Sequence, residues 1–242
     1  MALFGLFTTQ KPTQKAIEKQ LIKIKEPYSQ SEYRKIAMEK LLKWNTKESI
    51  ESVLKRFEVV VQSLYWDENE KKWLLEELIK KGTIVKNALT SFLKISNDVT
   101  YAIEALNKLC VDKLEFTELL LNALTKRLPE DHRLIQGKKE IIIALGQYNI
   151  PSNLKILTPY LNDHSDDIQC TVVDIFCEKQ FSQNYCTLLE MISQNNRSAR
   201  VLHHTAKAII KLKISTNKNI VLAVKLTKDY SINKNRLQFH KF

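Results

Sequence analysis

The chain has 242 residues, 44% of them apolar and 27% charged, and a formal charge of +11. Four glycines and five prolines are too few for a turn-rich β-protein, while the apolar share suffices for a continuous core. No segment approaches the roughly 20 apolar residues that span a bilayer, and MALFGLF is too short for a secretory signal and lacks its basic lead.

In chain order, TQKAIEKQLIKIK (13–25) predicts a short amphipathic helix whose Ile17, Leu21, Ile22 and Ile24 can cap the next helices. From there a pattern of two apolar-striped helices and a turn returns every 31 to 36 residues, with pairs starting near Ser31, Asp67, Asp98, Arg133, Ser165 and Arg197. Such a period specifies a helical solenoid. In the first pair, Ile36, Met38, Leu41 and Leu42 form one stripe and Ile50, Val53, Leu54 and Phe57 the other, with Thr46 to Glu48 as turn and cap. Gly82 and Gly146 read as turns, Pro151 as a helix start, Pro129 as a break and Pro159 as a bend inside a helix. At the end, YSINKNRLQFHKF alternates around an Asn233–Arg236 turn, with Tyr230, Ile232, Leu237 and Phe239 apolar, which predicts a β-hairpin cap.

The segments LNDHSDDIQCTVVDIF and ISQNNRSARVLHHTAKAII, with VTYAIEALNKL as a partial third, resemble consecutive short HEAT-type repeats. The resemblance covers roughly Ser31 to Leu212. It places Ile168, Thr171 and Val172, then Val201, Thr205 and Ala206, and earlier Val99, Ala102, Ala105 and Leu106, at close helix contacts. The layout is also similar to small bacterial HEAT-repeat proteins. The expected fold is therefore all-α: a right-handed α-solenoid of five to six helix pairs in one elongated domain. Residues 1–30 would be the N-terminal cap, 31–212 the repeats and 213–242 a basic C-terminal cap with the hairpin.

Charge gives the main functional signal. From residue 196 onward there are eleven Lys and Arg against one Asp, and no carboxylate falls between Glu190 and Asp229. Arg197, Arg200, His204, Lys207 and Lys211 recur at steps of three and four, opposite Leu202, Ala206, Ile209 and Leu212. With Lys218 they form a candidate anion-binding stripe, whose alternative is a solvated face of a Lys-rich helix. A merely soluble helix usually mixes signs.

No P-loop, nucleophile elbow or dinucleotide turn is present. HEAT-like DNA glycosylases hold a carboxylate beside tryptophans, and only Tyr65, Trp66, Asp67 and Trp73 are comparable. Asp67 there reads more simply as a helix N-cap followed by acidic Glu68 and Glu70, with the tryptophans as packing. HEAT-type di-iron hydroxylases use His-Glu dipeptides, and none of His132, His164, His203, His204 or His240 precedes Glu. Cys110, Cys170, Cys177 and Cys186 lack metal-ligand spacing and read as small apolar side chains in a reducing cytoplasm. No catalytic residue, metal or cofactor is therefore expected. The leading expectation is a cytoplasmic, non-catalytic scaffold or adaptor holding a protein partner on its curved wall. The second is nucleic-acid binding through the basic C-terminal region, a HEAT-like glycosylase included. The third is peripheral membrane contact through Phe4, Leu6 and Phe7 with the basic end facing anionic lipid.

Overall fold

The computed structural model describes residues 11–148, 150–216 and 219–240; Phe4, Leu6, Phe7 and Lys218 lie outside them. Within these residues the chain is mostly helical, 67%, with one two-stranded antiparallel sheet. The backbone divides into two compact units, Met1–Phe116 and Thr117–Phe242.

In the first unit, α1 (Gln14–Lys25) packs on α2 (Ser31–Trp44) and α3 (Lys47–Leu54). The stripe Ala37, Met38, Leu41 and Leu42 faces inward on α2, and Asn45 ends that helix in the left-handed region at φ 53°. Thr46 reopens the chain into α3: its hydroxyl accepts from Ser49 N at 3.2 Å, and its own N–H donates to Ser49 Oγ at 3.0 Å. Such a reciprocal cap contributes about 1 kcal/mol. After a 3₁₀ turn at Lys55–Glu58 come α4 (Leu64–Lys80), α5 (Lys86–Ile95) and α6 (Thr100–Leu109), and the boundary between the two units falls within α7 (Lys113–Leu124). Gly82 stands at φ 68° between α4 and α5, as its sequence position predicts. Helix α4 lies against α2 and α6, and α3 against α5, so successive helix pairs stack within this unit. Val99, Ala102, Ala105 and Leu106 are all fully buried there.

Asp67 is not the N-cap that the sequence suggested. Ser63 takes that role, accepting from Trp66 N, and α4 starts at Leu64. Asp67 and Glu70 instead turn inward, one helical turn apart. Glu70 accepts from Arg34 Nη2 at 2.6 Å and from Arg56 Nε at 2.8 Å. Asp67 accepts from Arg56 Nη2 at 2.9 Å, from Lys71 Nζ at 2.8 Å and from Val61 N at 3.2 Å. The guanidiniums also serve chain carbonyls: Arg56 donates to Val59 O, and Arg34 to Glu26 O and Ser29 O. Burial alone would push both carboxyls up, and it is the largest single influence on each. The hydrogen bonds from Lys71 and Arg56 to Asp67, and from Arg34, Ser31 and Arg56 to Glu70, together outweigh it and hold both below the usual carboxylate range.

In the second unit, α8 (Ile135–Gly146), α10 (Asp166–Glu178) and α12 (Ala199–Lys211) lie side by side in that order. The returning segments are short: α9 (Pro151–Ile156) with a 3₁₀ turn at Thr158–Asn162, and α11 (Tyr185–Met191). Pro151 opens α9 as expected, but Pro159 is the second residue of a separate 3₁₀ segment rather than a bend in one helix. Gly146 is also not a turn residue. It is the last residue of α8, and a Cβ there would stand 2.7 Å from the Ile175 side chain of α10, so the bare backbone is what lets the two helices approach. Ile168, Val172, Val201, Thr205 and Ala206 are buried between these helices, and Thr171 is half-buried.

Here too a buried cation ties the pairs together. Lys138 of α8 donates to Asp163 Oδ2 at 2.6 Å, to Leu128 O at 2.8 Å and to Asp131 O at 3.1 Å. The other oxygen of Asp163 accepts from Ser165 N, just ahead of α10. The Tyr160 hydroxyl lies 3.2 Å from Leu124 O and 3.1 Å from Arg127 O, and burial, helped by Asp163, pushes its pKa up to about 12. The hairpin of β1 (Tyr230–Asn233) and β2 (Arg236–Phe239) closes through Lys234 and Asn235, both at positive φ, the turn that matches strand twist. Its register pairs Tyr230 with Phe239 and Ile232 with Leu237, and β2 rests on α12.

Glu70→Ala strands two buried guanidiniums and is expected to cost the first unit about 3–5 kcal/mol, read by urea denaturation; a loss below 1 kcal/mol would contradict the network. Because Asp67 and Glu70 have folded pKa values below their unfolded ones, their stabilisation is complete above the unfolded carboxylate range, about pH 4. It should disappear as pH falls through the folded values, which thermal melts at stepwise lower pH will show. Gly146→Ala should destabilise the second unit by about 1–3 kcal/mol despite better helix propensity. Adding Ile175→Val should recover part of that loss in the same melting assay.

Candidate functional site: the α12 face and the C-terminal hairpin

Helix α12 forms because Ser198 caps its first turn, accepting from Val201 N at 3.2 Å, and because Val201, Leu202, Thr205, Ala206, Ala208 and Ile209 give it a continuous inward face. The opposite face carries the sequence-derived stripe, and the structure treats its members differently.

Arg197 turns inward and is 8% exposed. Its guanidinium donates to Leu161 O at 2.8 Å, to Gln194 Oε1 at 2.6 Å and to the side chains of Gln169 and Asn162. Burial lowers its pKa. It clamps the junction ahead of α12 and is spent on the fold. Arg200 is exposed but pairs with Asp167 of α10, a bond that raises its pKa. His204 Nε2 sits 2.7 Å from Asp174 Oδ1, also on α10. His203 Nε2 stands 3.5 Å from Asp229 Oδ2. Two of the expected stripe residues are thus engaged by acids of α10. The signal for this was in the sequence: Asp167 and Asp174 stand about 30 residues before Arg200 and His204, the spacing at which the helix-pair pattern returns.

Lys207 and Lys211 remain. Both are exposed, one turn apart on α12, and among the described residues neither forms an ion pair. Lys213, Lys228, Lys234 and Arg236 are likewise exposed, whereas Lys225 donates to Arg197 O at 2.6 Å.

Two concavities border α12. A groove of about 580 Å³ runs over α8, α10 and α12, with Lys139, Ile143, Gly146, Asp174, Arg200 and His204 on its walls. A smaller slot of about 250 Å³ lies between α12 and the hairpin, lined by Lys207, Ile210, Lys211, Tyr230 and Phe239. Tyr230 is buried while Phe239 is 53% exposed, the ring centroids being 5.3 Å apart.

The other candidates settle differently. Asp67 has its carboxylate occupied by Arg56, Lys71 and Val61 N. Tyr65 and Trp66 beside it are exposed rather than core, in edge contact at 5.3 Å, and Trp73 lies under Lys35 Nζ. Cys170 and Cys177 are buried as expected, whereas Cys110 is half-buried and Cys186 exposed. Burial pushes the thiols of Cys110, Cys170 and Cys177 up, away from the reactive thiolate. Among the described residues, no three His, Cys, Asp or Glu side chains are grouped to hold a metal, and no helix is long and apolar enough to cross a membrane.

No family model and no curated protein matches the chain. Among solved structures it is similar to human deoxyhypusine hydroxylase in complex with glycerol, at 14% identity, covering 82% of this chain and 85% of that one with a TM-score of 0.31. The matched protein is an enzyme. That corrects the expectation of a non-catalytic scaffold or adaptor for a protein partner, and with it the expectation of no enzymatic activity. At this TM-score the likeness carries no activity over from the hydroxylase.

Arg197→Ala should lower stability by about 2–4 kcal/mol, because it leaves the Leu161 carbonyl and three polar side chains without their donor. Lys207→Ala and Lys211→Ala should each change it by no more than about 0.5 kcal/mol. Denaturant midpoints of the three variants separate the structural cation from the free ones.

Proposed function

We propose that the C-terminal face of this chain binds the phosphate backbone of nucleic acid, with Lys207 and Lys211 as its central contacts. The observation that carries this is their state: two exposed ammonium groups one turn apart, without a carboxylate partner among the described residues. Like charges at this spacing disfavour a helix by a few tenths of a kcal/mol. Nearby acids do exist, since Asp167 pairs with Arg200 and Asp174 meets His204 in the first half of the same helix. A polyanion relieves the second half and releases its own counterions in doing so. The surplus of eleven cations over one acid from residue 196 on would add long-range attraction.

The helix-pair period and the stacking within each unit support reading both units as HEAT-type repeats, a fold that leaves the ligand to surface residues. Four free thiols suit a reducing, cytoplasmic setting.

The test is filter binding of DNA and RNA across a salt series. Wild-type affinity should fall steeply with salt, and Lys207→Glu with Lys211→Glu should weaken binding at least about tenfold and flatten the log–log slope by roughly 1.5. Unchanged isotherms for the double variant, with an unchanged melting curve, would remove Lys207 and Lys211 from the site.

A further inference from the structure

The slot between α12 and the hairpin gives the phosphate-binding face a second property. Its lining is the aliphatic stems of Lys207 and Lys211, Ile210, and the rings of Tyr230 and Phe239. The two lysines that line it are the two free cations of the helix. At about 250 Å³ it is smaller than the usual small-molecule pocket of roughly 300–1,000 Å³. It has room for one flat group lying against the hairpin.

Phe239 is the residue out of place. Its strand neighbour Leu237 and its cross-strand partner Tyr230 are both buried, at 5% and 2% exposure, yet Phe239 keeps half its surface in water at the mouth of the slot. The occupant must therefore offer an apolar planar face to Phe239 and negative charge to the lysines on either side of it. A nucleobase joined to its phosphates has this combination, and an aromatic ring beside a cationic rim is how single strands are held without reading their sequence. In a duplex the base faces are stacked inside and unavailable.

We infer that this slot stacks one base of single-stranded nucleic acid against Phe239 while Lys207 and Lys211 take the adjoining phosphates. The inference rests on the phosphate-binding reading and adds strand preference to it.

Fluorescence anisotropy on the full chain with three labelled probes tests it: an oligothymidylate, an abasic strand of equal length and a duplex of equal length. Wild-type protein should bind oligothymidylate about tenfold more tightly than the abasic strand, the size expected for one stacked base. The duplex should bind less tightly than the single strand. Phe239→Ala and Phe239→Leu should bring oligothymidylate down to the abasic level with the salt slope unchanged, and Phe239→Trp should keep the difference. Phe239→Leu retains apolar bulk, so it reports on the ring even where Phe239→Ala loosens the hairpin. Salt-dependent but equal binding of oligothymidylate and the abasic strand by wild type would overturn the stacked base and leave phosphate binding standing. Absence of binding to all three probes at low salt would overturn both. Competition by a free aromatic carboxylate but by no oligonucleotide would assign the slot to a different occupant and sink the inference.

Discussion

Positive charge taken out of water fixes how the helix pairs meet. Arg34, Arg56, Lys138 and Arg197 are each buried at a junction where one helical segment ends and another begins. Carbonyls at such ends have no partner within their own helix. Each of the four cations donates to at least one carbonyl at its junction, and three also grip a carboxylate: Glu70 takes Arg34 and Arg56, and Asp163 takes Lys138. Burying these charges is expensive alone and tolerable only when every donor finds an acceptor. The apolar stripes bring the helices together, and the cations fix which end meets which.

This division of labour explains how the basic residues of α12 sort. The sequence shows four cations and one histidine at helical spacing, with nothing to distinguish them. In the fold, Arg197 meets carbonyls at a junction, and Arg200 and His204 meet acids of α10. Only Lys207 and Lys211 project past the last neighbour, toward the hairpin. Among the described residues, the acids of α10 reach Arg200 and His204 but form no ion pair with Lys207 or Lys211.

Much of the local structure was legible. Ser31 and Ser165 mark helix starts, Gly82 a left-handed stop and Pro151 a first turn, since caps and stops depend on nearest neighbours. The small residues of the HEAT-like segments, the half-buried Thr171 apart, went to buried contacts for the same reason that their spacing was recognisable. The misreadings share another cause. Asp67 looked like an N-cap because nothing local shows that Arg56 will reach it. Gly146 looked like a turn because its actual reason, Ile175, lies most of a repeat away. Arg197 looked like a surface charge because three of its four acceptors, on Leu161, Asn162 and Gln169, stand 28 to 36 residues earlier. For the candidate site, the lysines and Phe239 were visible one by one, but their meeting in one slot required the hairpin to fold back on α12.

The carboxylate of Glu70 is shared, and a shared group cannot be half withdrawn. If α4 began to lift from its neighbours, Arg34 and Arg56 would be left side by side in a dry interior, repelling each other with no anion between them. A partly detached α4 is therefore less favourable than either the closed or the fully opened arrangement. Amide protons of α2, the 3₁₀ turn and α4 should consequently exchange with solvent through one common opening, making this end of the chain a single cooperative unit rather than a row of helices that fray in turn.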